Sequence, residues 1–173
     1  DRGSKYFWEL TARTLIYSAN RVPEISNDIV NIDNAMKWGF AWEAGPFEGW
    51  DALGVRRTTK RMIAEGKKVP KWVLEMLESG RETFYSVDNG QRTYWCPNGK
   101  HPVKIKQNPK EFNLLLHKTA GHTIKRDLSA SVNDMGDSIL NVEFHSILQP
   151  RLNPIDSSYV EMVNHALDLI DEG

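Results

Sequence analysis

Proton transfer, metal binding and phosphate recognition each need particular side chains brought close together, and this 173-residue chain offers few such groupings. All five histidines lie at or beyond His101. His117 and His122, like His145 and His165, lack the close pairing and acidic neighbours of a metal site, so they read as surface or capping residues. Cys96 is the only cysteine; it supplies neither a disulfide nor a thiolate cluster, and it reads as a small apolar side chain in a reducing cytoplasm. Arg56, Arg57, Lys60 and Arg61 form a basic stripe with the charge to meet phosphates, although such a stripe also suits a solvated helix face. Trp38, Trp42, Trp50 and Trp72 read as core or domain interface ahead of a ligand platform.

The most informative segment is Asp33-Asn34-Ala35-Met36-Lys37-Trp38-Gly39, followed by Gly45-Pro46-Phe47-Glu48-Gly49-Trp50-Asp51-Ala52-Leu53-Gly54. Its spacing predicts a tight helix-loop-helix. Gly39 and Gly45 would let backbones approach, Pro46 would fix φ at a helix start, Phe47 would anchor the core, and Asp51 would satisfy nearby main-chain donors. No base or nucleophile is grouped there, so the segment reads as scaffolding.

The elements around it follow from periodicity. From Tyr6 to Val22 apolar or small residues recur at helical spacing, which predicts a helix stopped at Pro23. Ser26 or Asn27 can cap a second helix through Met36, ending near Gly39. A third helix is expected from Pro46 to Gly54, a fourth from Val55 to Ile63, and a fifth from Pro70 to Gly80. The character then changes: Thr83–Val87 and Gln91–Cys96 flank Asp88-Asn89-Gly90, a hairpin signal, and Pro97-Asn98-Gly99 with His101-Pro102 close that piece. Asn108-Pro109 favours a short helix from Lys110 to Lys118. Strands are expected at Thr123–Arg126, Ser129–Asp134 and Ser138–His145, and a final helix from about Asp156, with Val160, Val163, Leu167 and Ile170 on one face and Met162, Ala166 and Leu169 beside it.

Bulk properties restrict the partners. Acidic and basic residues nearly cancel, leaving a formal net charge of -1, so no overall field recruits nucleic acid or an anionic membrane. No apolar run reaches the ~20 residues of a membrane-spanning helix. The opening Asp1-Arg2-Gly3-Ser4 carries no initiating methionine, which suggests a piece of a longer polypeptide.

The Asp-x-Ala-Met-Lys-x-Gly and Gly-Pro-Phe-Glu-x-x-Asp-x-x-Gly pattern resembles the signature of the C-terminal, non-NAD-binding helical domain of 3-hydroxyacyl-CoA dehydrogenases. The residues that carry it are Asp33, Ala35, Met36, Lys37, Gly39, Gly45, Pro46, Phe47, Glu48, Asp51 and Gly54. Simple members have Pro-Met before Gly-Pro-Phe where this chain has Trp42-Glu43-Ala44, a departure that resembles the second copy of the domain in fused dehydrogenase-hydratase chains. Residues 129–144 resemble the opening hairpin of a crotonase-type enoyl-CoA hydratase, and Asn153-Pro154-Ile155-Asp156 resembles the entry to that family's first helix.

The resemblance implies a mainly α fold: a helical bundle of the dehydrogenase C-terminal type over residues 1–82, a linker hairpin and short helix over 83–121, and the start of a crotonase-like α+β domain over 122–173. It implies a parent that oxidises L-3-hydroxyacyl-CoA with NAD and hydrates 2-enoyl-CoA, with acyl-CoA as substrate and coenzyme A phosphates as one use for the basic stripe. The fragment's expected partners are the upstream NAD-binding and first helical domains of the same chain, with self-pairing favoured by an orphan strand edge. Hydride transfer needs a Gly-x-Gly-x-x-Gly turn and a histidine base. The glycines at 39, 45, 49 and 54 do not make that turn, and no histidine precedes His101, so no catalytic, cofactor-binding or metal-binding residue is expected in this piece. A stand-alone interaction module, and a hydratase whose active site reaches into this segment, are the rival readings.

Overall fold

Helical periodicity, caps and breakers place the first five elements. The computed structural model describes residues 1–106, 112–147 and 151–172. Among these, seven helices, which hold 48% of the described residues, accompany two small antiparallel sheets. The chain divides into two compact units, one of residues 1–87 with 91–108 and the other of 88–90 with 109–173.

In the first unit, α1 (Arg2–Asn20) buries Ala12, Leu15, Ser18 and Ala19 on one side. It begins four residues before Tyr6 because the Asp1 side chain caps it by accepting from the Gly3 N–H. Asp28, rather than Ser26 or Asn27, caps α2 (Ile29–Phe40) by accepting from Asn31 N–H at 2.7 Å. The left-handed residue that ends α2 is Ala41, with φ of 55°, and not Gly39, which lies inside the last turn with open space around it. Next come α3 (Pro46–Leu53), α4 (Val55–Ala64) and α5 (Lys71–Glu78), with Gly54 between α3 and α4 at φ of 82°.

Strands β1 (Tyr85–Asp88), β2 (Gln91–Cys96) and β3 (His101–Lys104) form the first sheet in that order. Asn89 and Gly90, both at positive φ, make the turn between β1 and β2. The third strand is a departure from the expected end of the hairpin at His101-Pro102: β3 pairs antiparallel with β2, Trp95 opposite Pro102. Pro102 is tolerated because β3 is an edge strand. This sheet packs as core and does more than link. Phe84 is fully buried, with Phe47, Trp50 and Trp72 rings 5.1, 5.3 and 5.7 Å from its own, and Trp95 joins the same cluster.

In the second unit, Asn113 caps α6 (Leu114–Thr119); the expected helix start at Asn108-Pro109 lies outside the described residues. Strands β4 (Thr123–Arg126), β5 (Ala130–Asp134) and β6 (Leu140–Phe144) form an antiparallel sheet with β5 central. Helix α7 (Ser157–Asp171) lies on one face, where Tyr159, Met162 and Ala166 meet Ala130 and Val132. Of its two adjacent apolar stripes, the Met162 and Ala166 stripe is therefore the buried one, while Val160, Val163, Leu167 and Ile170 stay exposed. The other face of β5 is polar yet buried: Asn133 accepts a hydrogen bond from the Thr123 hydroxyl and donates one to Asn141, and Ser131 donates to Glu143.

Because Phe84 joins the sheet to the helices through three aromatic contacts, Phe84→Ala should lower stability of the first unit by about 3–5 kcal/mol. Urea unfolding followed by tryptophan fluorescence would register this; a loss under about 1 kcal/mol would show that the hairpin is peripheral.

Candidate functional site

The motif residues converge on the junction of α2, α3 and β1. Helix α3 starts at Gly45, which has no side chain with which to cap it. Asp33, one turn into α2, takes over that task from outside the helix: its Oδ1 accepts the Phe47 N–H at 2.9 Å and its Oδ2 the Glu48 N–H at 3.1 Å. The same space explains the glycine. A Cβ on Gly45 would sit 2.3 Å from the Cβ and Cγ of Asp33.

Glu48 completes the cap from within, accepting the Gly45 N–H at 3.0 Å, and it forms ion pairs with Lys37 at 2.9 Å and Arg92 at 2.7 Å. At the other end of α3, Asp51 accepts the N–H groups of Phe84 and Tyr85 at 2.7 and 2.9 Å. The Tyr85 hydroxyl donates back to Asp33 Oδ2 at 2.9 Å. The result is a closed circuit from α2 to α3 to β1 and back to α2. Pro46 and Phe47 are buried beneath it, whereas Ala35 and Gly39 are exposed and Met36 and Lys37 half-buried.

The electrostatics follow from burial. Asp33 is pushed up to about 6 by burial, which outweighs the Phe47 amide, the Tyr85 hydroxyl and the Glu48 amide that favour its charged form. Asp51 is pushed up to about 6 for the same reason, with the Phe84 and Tyr85 amides opposing and Asp33 adding to the rise. For Glu48 burial also pushes upward, but the Gly45 amide, Lys37 and Arg92 prevail and hold it below its ordinary range. Burial, then the Asp33 charge, raise the Tyr85 phenol, which stays a neutral donor. These carboxylates are thus occupied as acceptors for main-chain N–H groups or as partners of cations.

The other sequence candidates lie elsewhere. Arg56 binds Glu82 and the Leu77 carbonyl, Arg57 the Leu53 carbonyl, and Arg61 binds Glu65 while stacking 4.0 Å over Trp8. Lys60 is exposed on the same helix. The tryptophans divide: Trp50 is buried, Trp72 half-buried with its indole N–H on the Ala19 carbonyl, but Trp38 is 81% exposed and Trp42 42%. Those two are therefore not core, and Phe40 between them is likewise exposed. His117 and His122, expected apart, are stacked with ring centroids 4.1 Å apart. Parallel rings do not converge their nitrogens on one ion, and no group of three or more His, Cys, Asp or Glu suited to a metal occurs among the described residues. Sequence reasoning missed Tyr85 and Arg92; the only available signal was their place beside the hairpin turn.

A probable 3-hydroxyacyl-CoA dehydrogenase of Bacillus subtilis is 39% identical over 168 residues, which cover 97% of this chain. The chain is related to 3-hydroxyacyl-CoA dehydrogenases. A putative fatty acid oxidation complex trifunctional enzyme of Rickettsia prowazekii is 43% identical over 129 residues, covering 64% of the chain, and one of Rickettsia felis is 37% identical over 57. The chain spans about a fifth of the length of the first two of these relatives, at 20% and 18%. No family model and no solved structure matches it. A nicotinamide dinucleotide does not fit the described residues. Its pyrophosphate needs a glycine-rich turn between a parallel strand and a helix, whereas both sheets here are antiparallel. Among the described residues no helix is long and apolar enough to cross a membrane.

Two substitutions test the circuit. Gly45→Ala must move Asp33 away from α3 and should cost about 2–4 kcal/mol, read by thermal melting; an unchanged Tm would show that Asp33 does not fill that space. For Asp51 the folded pKa is the raised one, so its contribution is greatest in acid and is lost as pH rises from about 4 to about 6. The stability of the wild-type chain relative to Asp51→Asn should therefore fall across that window and level off above it, measured by urea unfolding at several pH values.

Proposed function

We propose that this chain is a non-catalytic helical portion of a larger fatty-acid β-oxidation enzyme, whose parent oxidises L-3-hydroxyacyl-CoA to 3-ketoacyl-CoA with NAD and also hydrates 2-enoyl-CoA. One observation carries the reading: Asp33, Glu48 and Asp51, the acidic residues of the motif, are all engaged in holding α2, α3 and β1 together. Asp33 and Asp51 each accept two main-chain N–H bonds, and Glu48 accepts one beside two cations, so all three are committed to the fold before any substrate arrives.

The length of the relatives supports a part played within a longer chain. In that chain the helical unit is of the dehydrogenase C-terminal type and braces an upstream nucleotide-binding domain and a first helical domain. The exposed side chains of Trp38, Phe40 and Trp42 at the end of α2 are apolar groups available for such bracing. The β5–β6 hairpin followed by α7 supports the view that residues 122–173 begin a crotonase-like domain. The lone, half-buried Cys96 supports a reducing, cytoplasmic setting.

The test is an assay of NAD reduction by this chain alone with 3-hydroxybutyryl-CoA. No turnover is expected; steady NADH formation would refute the non-catalytic reading. Micromolar binding of an acyl-CoA to the same chain would instead favour a hydratase site reaching into it. Failure of this chain to bind any added upstream domain would favour a stand-alone interaction module.

A further inference from the structure

Two asparagines of the chain are followed by glycine, Asn89 and Asn98. That pairing holds a latent reaction. The main-chain nitrogen after an asparagine can attack the side-chain amide carbon and close a five-membered imide, and a glycine, with no Cβ, leaves that nitrogen open to approach. Whether the ring closes depends on how firmly the fold holds the peptide between the two residues.

The two sites differ in this respect. Asn89 and Gly90 both hold positive φ, 46° and 71°, as a two-residue hairpin turn needs, so rotating their shared peptide would undo the turn from β1 to β2. Asn98 and Gly99 lie in the longer turn from β2 to β3, which is closed by the Lys100 N–H donating to the Cys96 carbonyl at 2.8 Å. There the left-handed residue is Lys100, with φ of 53°. The Gly99 N–H stands outside the ladder and has the Cys96 sulfur, 3.4 Å away, as its acceptor, which is a weak one. Both Asn98 and Gly99 are exposed.

A base stands beside this glycine. A Cβ on Gly99 would sit 3.0, 3.1 and 3.3 Å from three atoms of the His101 imidazole, so the ring occupies the space that another residue type at this position would fill. His101 is itself held in place, paired opposite Cys96 at the start of β3. An imidazole can take up a proton and return it to a leaving group.

We propose that Asn98 is a self-modification site, at which the Gly99 nitrogen attacks the Asn98 side-chain carbon with His101 as the base. The new N–C bond forms as the bond from Cγ to Nδ2 breaks. The Gly99 amide proton passes by way of His101 to the departing nitrogen, which leaves as ammonia. Water then opens the imide. Attack at the side-chain carbonyl gives aspartate, and attack at the main-chain carbonyl gives isoaspartate; water is the only co-reactant. Either product places a carboxylate in the turn. Isoaspartate also routes the main chain through the side-chain carbon, which pulls Lys100 from the Cys96 carbonyl and loosens β3, an edge strand whose Pro102 lies opposite Trp95. All the reacting groups lie within residues 96–101, and the reaction is independent of the parent's activity.

The folded chain, kept at neutral pH for weeks and then digested, should show the peptide containing Asn98 converted from amide to acid by mass, with part of the product accepting a methyl group from an isoaspartyl methyltransferase. The peptide containing Asn89 should stay intact in the folded chain and convert once the chain is unfolded in urea. His101→Phe keeps a ring over Gly99 without a base, and it should slow conversion by about tenfold, less than an optimised catalytic base contributes. Asn98→Gln, at an exposed position, should abolish conversion there with the circular dichroism spectrum unchanged. Asn98 intact in the folded chain while a free peptide of residues 96–101 converts, Asn89 converting as fast as Asn98, or a His101→Phe rate equal to that of the wild type, overturns the proposal.

Discussion

The first unit depends on where the main-chain N–H groups at the start of α3 find acceptors. A helix start leaves several donors without partners, and a buried one cannot leave them to water. Gly45 brings no side chain to the task, so Asp33 reaches across from α2 to accept two of these donors, and Glu48 folds back to accept a third. Asp51 repeats the device at the far end of α3, where it takes the two amides that begin β1. Three carboxylates thereby fix the relative positions of two helices and a strand.

Burying those carboxylates is unfavourable in itself, as the upward displacement of Asp33 and Asp51 records. The cost is offset because each oxygen has a donor and because Lys37 and Arg92 neutralise Glu48 on the more exposed side. Hydrogen-bond donors aimed at fixed points also give geometry, which apolar packing supplies less sharply. Phe47, Trp50, Trp72 and Phe84 can pack in many ways; with Asp33 and Asp51 holding both ends of α3, one arrangement is selected. Both oxygens of each of these three carboxylates are thereby engaged by donors of the fold itself.

The second unit uses polar burial differently. Central strand β5 is covered on both faces, by α7 over Ala130 and Val132 and by polar contacts over Ser131 and Asn133. Alternation of apolar and polar residues along Ala130, Ser131, Val132 and Asn133 suggests one wet face, yet Ser131 and Asn133 are buried. What separates the two cases is whether neighbouring strands offer partners, and Thr123, Asn141 and Glu143 do. Among the described strands β6 has such a neighbour on one side, β5.

Much of the local structure was legible in the residues. Pro46 at a helix start, Gly54 and Gly80 at breaks, Asn89-Gly90 in a hairpin turn and the strand Thr123–Arg126 act through torsional preference over a few residues. Likewise Asp51 as an acceptor for main-chain donors could be anticipated, since a buried carboxylate must be paired. The third strand, His101–Lys104, was not legible, because a proline strand is stable only once β2 supplies an edge to join. Nor were the partners of Asp33, which lie 14, 15 and 52 residues away. Trp38 and Trp50 illustrate the same limit: one residue type in one motif, the first mostly exposed and the second buried. By itself, then, the sequence determined elements, turns and the absence of a glycine-rich nucleotide turn, all of which depend on near neighbours. Only the tertiary structure decided which carboxylate caps which helix, which stripe of α7 is covered and how the hairpin joins the core, because each of these depends on residues distant in sequence meeting in space.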